Sequence, residues 1–96
     1  MLNAAPIEDD NRDFVRKRVL MHATILSADG VQSVSIKDLT TSGVRIACEQ
    51  RLDEGQDVVF RRGELFVAGR VAWASNGEAG VQFYRELGSA AISAQR

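Results

Sequence analysis

Cysteine, histidine and proline each occur once in the 96 residues, and four phenylalanines, one tryptophan and one tyrosine, Tyr84, make up the Phe, Trp and Tyr content. A single cysteine, Cys48, excludes an intramolecular disulfide framework, and with a single histidine, His22, it argues against a structural zinc site. No apolar run approaches the roughly 20 residues that a bilayer-spanning helix needs, and the N-terminus lacks the basic-then-apolar order of a signal peptide. The formal charge is −1 and the isoelectric point about 5.8, without the strong basic excess of a general nucleic-acid binder. These scarcities predict a cytoplasmic protein with no membrane insertion and no nucleic-acid polymer as partner. The length suits one small core, and a further catalytic domain is not expected within it.

What is present reads as short strands. Residues 1–11 are polar and acidic, hold the proline and show no period that would bury a face, so a flexible N-terminal arm is expected there. Val19 to Leu26 is apolar apart from His22 and Thr24, and Ala28-Asp29-Gly30 then offers a turn whose glycine can take positive φ. In Val31 to Asp38, Gln32, Val34 and Ile36 alternate with Ser33, Ser35 and Lys37. Val44, Ile46 and Cys48 mark a third strand, Asp57 to Arg61 a fourth, Glu64 to Ala74 a fifth and Ala79 to Tyr84 a sixth. A loop at Leu52 to Gln56 and turns at Arg62-Gly63 and Ser75-Asn76-Gly77-Glu78 separate them. Six short strands at hairpin spacing predict an all-β, antiparallel sheet, and closing it into a barrel removes edges that would otherwise aggregate. In the fifth strand Leu65, Val67, Gly69, Val71 and Trp73 share one face, opposite Phe66, Ala68, Arg70 and Ala72. Arg70 marks the second face as the wet one. The expected core is Val34, Ile36, Val44, Ile46, Val58, Phe60, Leu65, Val67, Val71, Trp73, Val81 and Phe83. Residues 85–96 are alanine-containing and interrupted by Gly88, which suits a short helix or tail.

Little here supports catalysis. His22 lies among Leu20, Met21 and Ala23, where a partly buried strand histidine is the expected reading, and no nucleophile can be paired with it. Cys48 reads as a small core residue and Asp53 and Glu54 as solvated turn carboxylates. Ser42 lacks the Gly-x-Ser-x-Gly elbow of a strained nucleophile turn. A non-enzyme without metal or cofactor is expected.

Two stretches carry more chemistry. In Arg12-Asp13-Phe14-Val15-Arg16-Lys17-Arg18, two arginines stand four apart, and a guanidinium can fork two hydrogen bonds to a phosphate or to the O6 and N7 edge of guanine. One hairpin later, Asp38-Leu39-Thr40-Thr41-Ser42-Gly43 supplies an acid able to accept from a guanine N–H, a hydroxyl, and a glycine that permits close approach. Alone, the basic run reads first as a solvated charge run, and the turn residues serve an ordinary Asx-type turn as well.

Together, at opposite ends of one hairpin, they resemble the two signatures of the PilZ domain, a family that binds the bacterial second messenger cyclic di-GMP. The resemblance extends over residues 12–84 and includes Val71-Ala72-Trp73 and Gly80-Val81-Gln82-Phe83. It implies a six-stranded PilZ-like β-barrel whose N-terminal arm folds over cyclic di-GMP while the turn holds a guanine from the barrel side. Arg12 and Arg16 match the arginine pair; Asp38, Thr40 and Gly43 match the acid, hydroxyl and glycine. The family usually sets its second arginine directly before the first strand, and here Lys17-Arg18 intervene, so Arg18 is the alternative, with Phe14 at the first position. Threonine replaces the usual serine, keeping the hydroxyl and adding a methyl. The resemblance implies a stand-alone signalling adaptor that passes cyclic di-GMP binding to a downstream effector protein. The alternative is a degenerate PilZ-like interaction module that binds no nucleotide, and a barrel for single-stranded nucleic acid is disfavoured by the shortage of aromatic platforms.

Overall fold

The computed structural model describes residues 21–93. Six strands, β1 (Met21–Ser27), β2 (Gly30–Leu39), β3 (Gly43–Ala47), β4 (Asp57–Arg62), β5 (Leu65–Ser75) and β6 (Glu78–Phe83), precede a short helix, α1 (Ser89–Ser93). They form one closed barrel in the order β1-β2-β3-β6-β5-β4, with every neighbouring pair antiparallel. Closure comes from β1 pairing with both β2 and β4, so each of the six strands has a neighbour on both sides. Among the described residues no helix is long and apolar enough to cross a membrane.

The turns follow from their residues. Gly30 takes φ of 131° where β1 turns into β2, and Asn76 and Gly77 both take positive φ, 56° and 79°, in the tight β5–β6 hairpin. Alternation then sends one face of each strand inward. Phe60, Ile25, Ile46 and Val71 are the largest fully enclosed side chains, each worth about 1.5–3 kcal/mol in apolar burial. Val34, Val44, Val58, Val67, Val81 and Phe83 complete the expected set, with the Phe60 and Phe83 rings 5.8 Å apart. Ile36 and Leu65 are half-buried and pack against that core. Ala23, Ile25, Leu52, Ala79 and Leu87 join it beyond the expected residues. Leu52 belongs to a loop and Leu87 to the segment after β6, positions at which strand alternation gives no signal.

Two expectations are corrected. Trp73 is 40 % exposed rather than buried. The β5–β6 register shifts between Val71, opposite Val81, and Trp73, opposite Gly80, so one extra residue enters β5. Such a bulge reverses the side-chain alternation beyond it: Trp73 turns outward and Ala74 packs inward against the core. His22 is exposed, because it alternates with the buried Ala23 on the outer face of β1. After β6, Leu87 is buried in the core, and Ala91 and Ile92 of α1 pack against it.

Candidate functional site

The turn between β2 and β3 is built around one hydroxyl. Thr40 Oγ1 accepts from the backbone N–H of Ser42 at 3.3 Å and of Gly43 at 3.2 Å, and donates to the Gly43 carbonyl at 3.2 Å. The Thr40 N–H also donates to the Gly43 carbonyl, at 2.9 Å. The loop is thus a side-chain-closed turn whose amides are satisfied locally. It is pinned from outside as well: Phe83 N–H donates to the Ser42 carbonyl at 2.9 Å, and Leu87 N–H to the Thr41 carbonyl at 2.8 Å. Gly43 is required for a different reason than positive φ. A Cβ there would strike the Val81 carbonyl oxygen of β6, a backbone atom that cannot rotate away.

Asp38 reaches the outer face through a second bulge. By simple alternation it would share the inward face of Val34 and Ile36. The β2–β3 register shifts between Ile36, opposite Ile46, and Asp38, opposite Arg45, so Lys37 is the extra residue and Asp38 is exposed. Four residues then stand in a row across four strands: Asp38 opposite Arg45, Arg45 opposite Gly80, and Gly80 opposite Trp73. Gly80 has no side chain, and the Trp73 indole lies over it in the space a Cβ would need. Arg45 is held toward β6 by Glu78, 3.2 Å from its Nη1.

The result is an open groove of about 390 Å³ on the outer face of β2, β3, β6 and β5. Asp38, Thr40 and Gly43 line it, with Ser42, Arg45, Trp73 and Gln82 around them. Its chemistry is an acid, a guanidinium, hydroxyls, an amide and one indole, which suits a ligand with both hydrogen-bonding edges and flat rings. The three expected residues of the turn are therefore brought together. Arg12, Arg16 and Arg18 lie outside the described residues. Met21, the first described residue, pairs with Ile36, two residues before Asp38. Sequence reasoning missed Arg45, Trp73 and Gly80, because the bulges that align them leave no mark in the alternation.

No group of histidines, cysteines and carboxylates able to hold a metal occurs among the described residues. Burial, and then Glu78, raise the Cys48 thiol above its ordinary pKa, the opposite of what a reactive thiolate requires. A model of the PilZ domain matches residues 10–94 of the chain. No curated protein matches it significantly.

Proposed function

The chain belongs to the PilZ domain family, generally a receptor domain for cyclic di-GMP, and from that premise we propose that it binds this nucleotide in the groove at Asp38 and relays the binding to an effector protein. The observation that carries the reading is the row Asp38–Arg45–Gly80–Trp73 beside the Thr40 turn. Asp38 accepts from a guanine N–H, Gly43 lets the turn lie close against β6 and so fixes Asp38 beside the groove, and Trp73 offers an apolar ring surface at the far end. Arg12 and Arg16, or in the other register Arg18 with Phe14 at the first position, supply the guanidinium contacts to phosphate and to the guanine edge. Nothing in this role calls for bond making, so the protein acts as a binding module and not as an enzyme.

Relay requires a state that differs with ligand. The arginine-bearing arm closing over the nucleotide provides one, since a ligand shifts an equilibrium only by its preference for one of two states. The test is calorimetric titration of the full chain with cyclic di-GMP, with Trp73 emission followed in parallel. Saturable heat and a changed emission are expected. The second reading, an interaction module without nucleotide, is favoured by one observation: the Thr40 hydroxyl proton is already used on the Gly43 carbonyl. Absence of heat and of any emission change at high nucleotide concentration would establish that reading instead.

A further inference from the structure

The wall of the barrel formed by β1, β4 and β5 carries a second groove, separate from the one at Asp38. It is shallow, about 420 Å³, and mostly apolar: Leu26, Val59 and Ala68 form its floor and Tyr84 one side. Leu26, Val59 and Ala68 are paired directly across three strands, so the apolar floor is a continuous row on the outer face. Tyr84 is 62 % exposed and Phe66, two residues before Ala68, is 53 % exposed. Large exposed apolar groups set side by side are what an interaction surface presents. The tyrosine is held in position, since its backbone N–H donates to the Ala68 carbonyl at 3.0 Å and its hydroxyl donates to the Asp57 carboxylate.

The rim is basic. Arg61 stands over the Phe66 ring, 5.7 Å from its centroid. Arg85 Nη2 donates to the Phe66 carbonyl at 3.3 Å, and Arg70 pairs across from Asp57. All three arginines are exposed, in a chain whose net charge is −1. One carboxylate, Asp57, lies within the groove, accepting from Tyr84 and standing opposite Arg70, so three guanidinium groups face one acid. An apolar floor flanked along β4, β5 and the segment after β6 by guanidinium groups complements apolar side chains flanked by carboxylates.

From this we infer that the β1–β4–β5 face docks an acidic amphipathic helix of a partner protein, its apolar side chains on Leu26, Val59 and Ala68 and its carboxylates on Arg61, Arg70 and Arg85. A helix is the fitting form because Leu26, Val59 and Ala68 lie on strands already paired with one another, so this groove offers an extended peptide no strand edge. A second copy is disfavoured, since a two-fold contact through this face would set the same basic rim against itself. The chain's own first residues are disfavoured too: Glu8, Asp9, Asp10 and Asp13 are balanced by Arg12, Arg16, Lys17 and Arg18.

The test uses the full chain, isotopically labelled, without nucleotide, so that its outcome is independent of the cyclic di-GMP reading. The probe is a synthetic amphipathic peptide of leucine and glutamate at helical spacing, beside a control in which lysine replaces glutamate. Amide shifts confined to Leu26, Val59, Ala68 and Tyr84 and their neighbours are expected with the glutamate peptide alone. Arg70→Glu with Arg85→Glu, both at exposed positions, should weaken that binding about tenfold or more, a loss of about 1.4 kcal/mol. Equal binding of the lysine peptide, shifts centred on the Asp38 groove, or no shifts at all would overturn the inference. So would the same shifts produced by a peptide of residues 1–11, or a dimer forming through this face.

Discussion

Asp38 and Trp73 stand at the two ends of one row of residues across the sheet, and each faces outward because a one-residue bulge immediately precedes it. Without the extra residue in β2, Asp38 would follow Val34 and Ile36 inward and bury a carboxylate, at a cost of several kcal/mol. Without the one in β5, Trp73 would be driven into a core where Val71 and Ala79 are already fully enclosed. The bulges thus serve packing and site at once: what cannot be accommodated inside is delivered to the same groove.

Gly80 is the floor beneath the Trp73 indole. Gly80→Ala is expected to displace the indole from the row, shifting its emission and costing about 1–3 kcal/mol in urea unfolding. The obstacle at Gly80 is a side chain that can swing aside, whereas at Gly43 it is the Val81 carbonyl. Gly43→Ala should therefore be the more destabilising of the two. An unchanged emission in Gly80→Ala would contradict the packing described.

The arginines are tested by affinity. Removing a bidentate charged contact costs about 1.5–3 kcal/mol, roughly ten- to hundredfold in Kd. Arg12→Ala, Arg16→Ala and Arg18→Ala should be titrated with cyclic di-GMP side by side, and the larger loss between the last two identifies the second motif arginine. Binding should also weaken as salt is raised, because exposed charges are screened beyond about 8 Å at physiological ionic strength. Equal affinity of all three variants and the parent, or affinity flat across a salt series, would refute the arginine clamp.

Thr40 separates loop shape from ligand contact. Thr40→Ser keeps the hydroxyl that closes the turn and should leave stability within about 0.5 kcal/mol. Thr40→Val removes the acceptor for the Ser42 and Gly43 amides and should cost about 1–3 kcal/mol. If nucleotide affinity follows stability through this pair, the threonine acts by holding Asp38 and Gly43 in register. A Thr40→Val protein as stable as the parent would show that water replaces the hydroxyl.

Cys48 offers a check on the electrostatics of β3 and β6. Its thiol is raised by burial and by Glu78, so less thiolate is present at a given pH than on an exposed cysteine, and alkylation at neutral pH should be slow. Glu78→Gln removes one of the two causes, and the alkylation rate, measured as a function of pH, should shift toward lower pH. It also loosens the Arg45 contact, so the same variant should alter nucleotide affinity. A pH profile identical to that of the parent would show burial alone to be responsible.

Alternation and turn chemistry in the sequence determined the number of strands and most of the core, because each strand's inward face is a local period-two pattern. Val44, Ile46, Val58, Phe60 and Val67 are buried for that reason alone. The sequence also marked the turn at Asp38, Thr40 and Gly43, residue types that serve an ordinary turn as well and gain meaning only with the arginine run one hairpin earlier. What only the tertiary structure decided lies where the period breaks. Lys37 and the extra residue before Trp73 look like ordinary members of their strands, and a bulge is chosen by the register of two strands against their neighbours, a relation no single strand contains. Hence the outward turn of Trp73, the Gly80 floor beneath it and the place of Arg45 between Asp38 and Gly80 became visible only with the barrel closed.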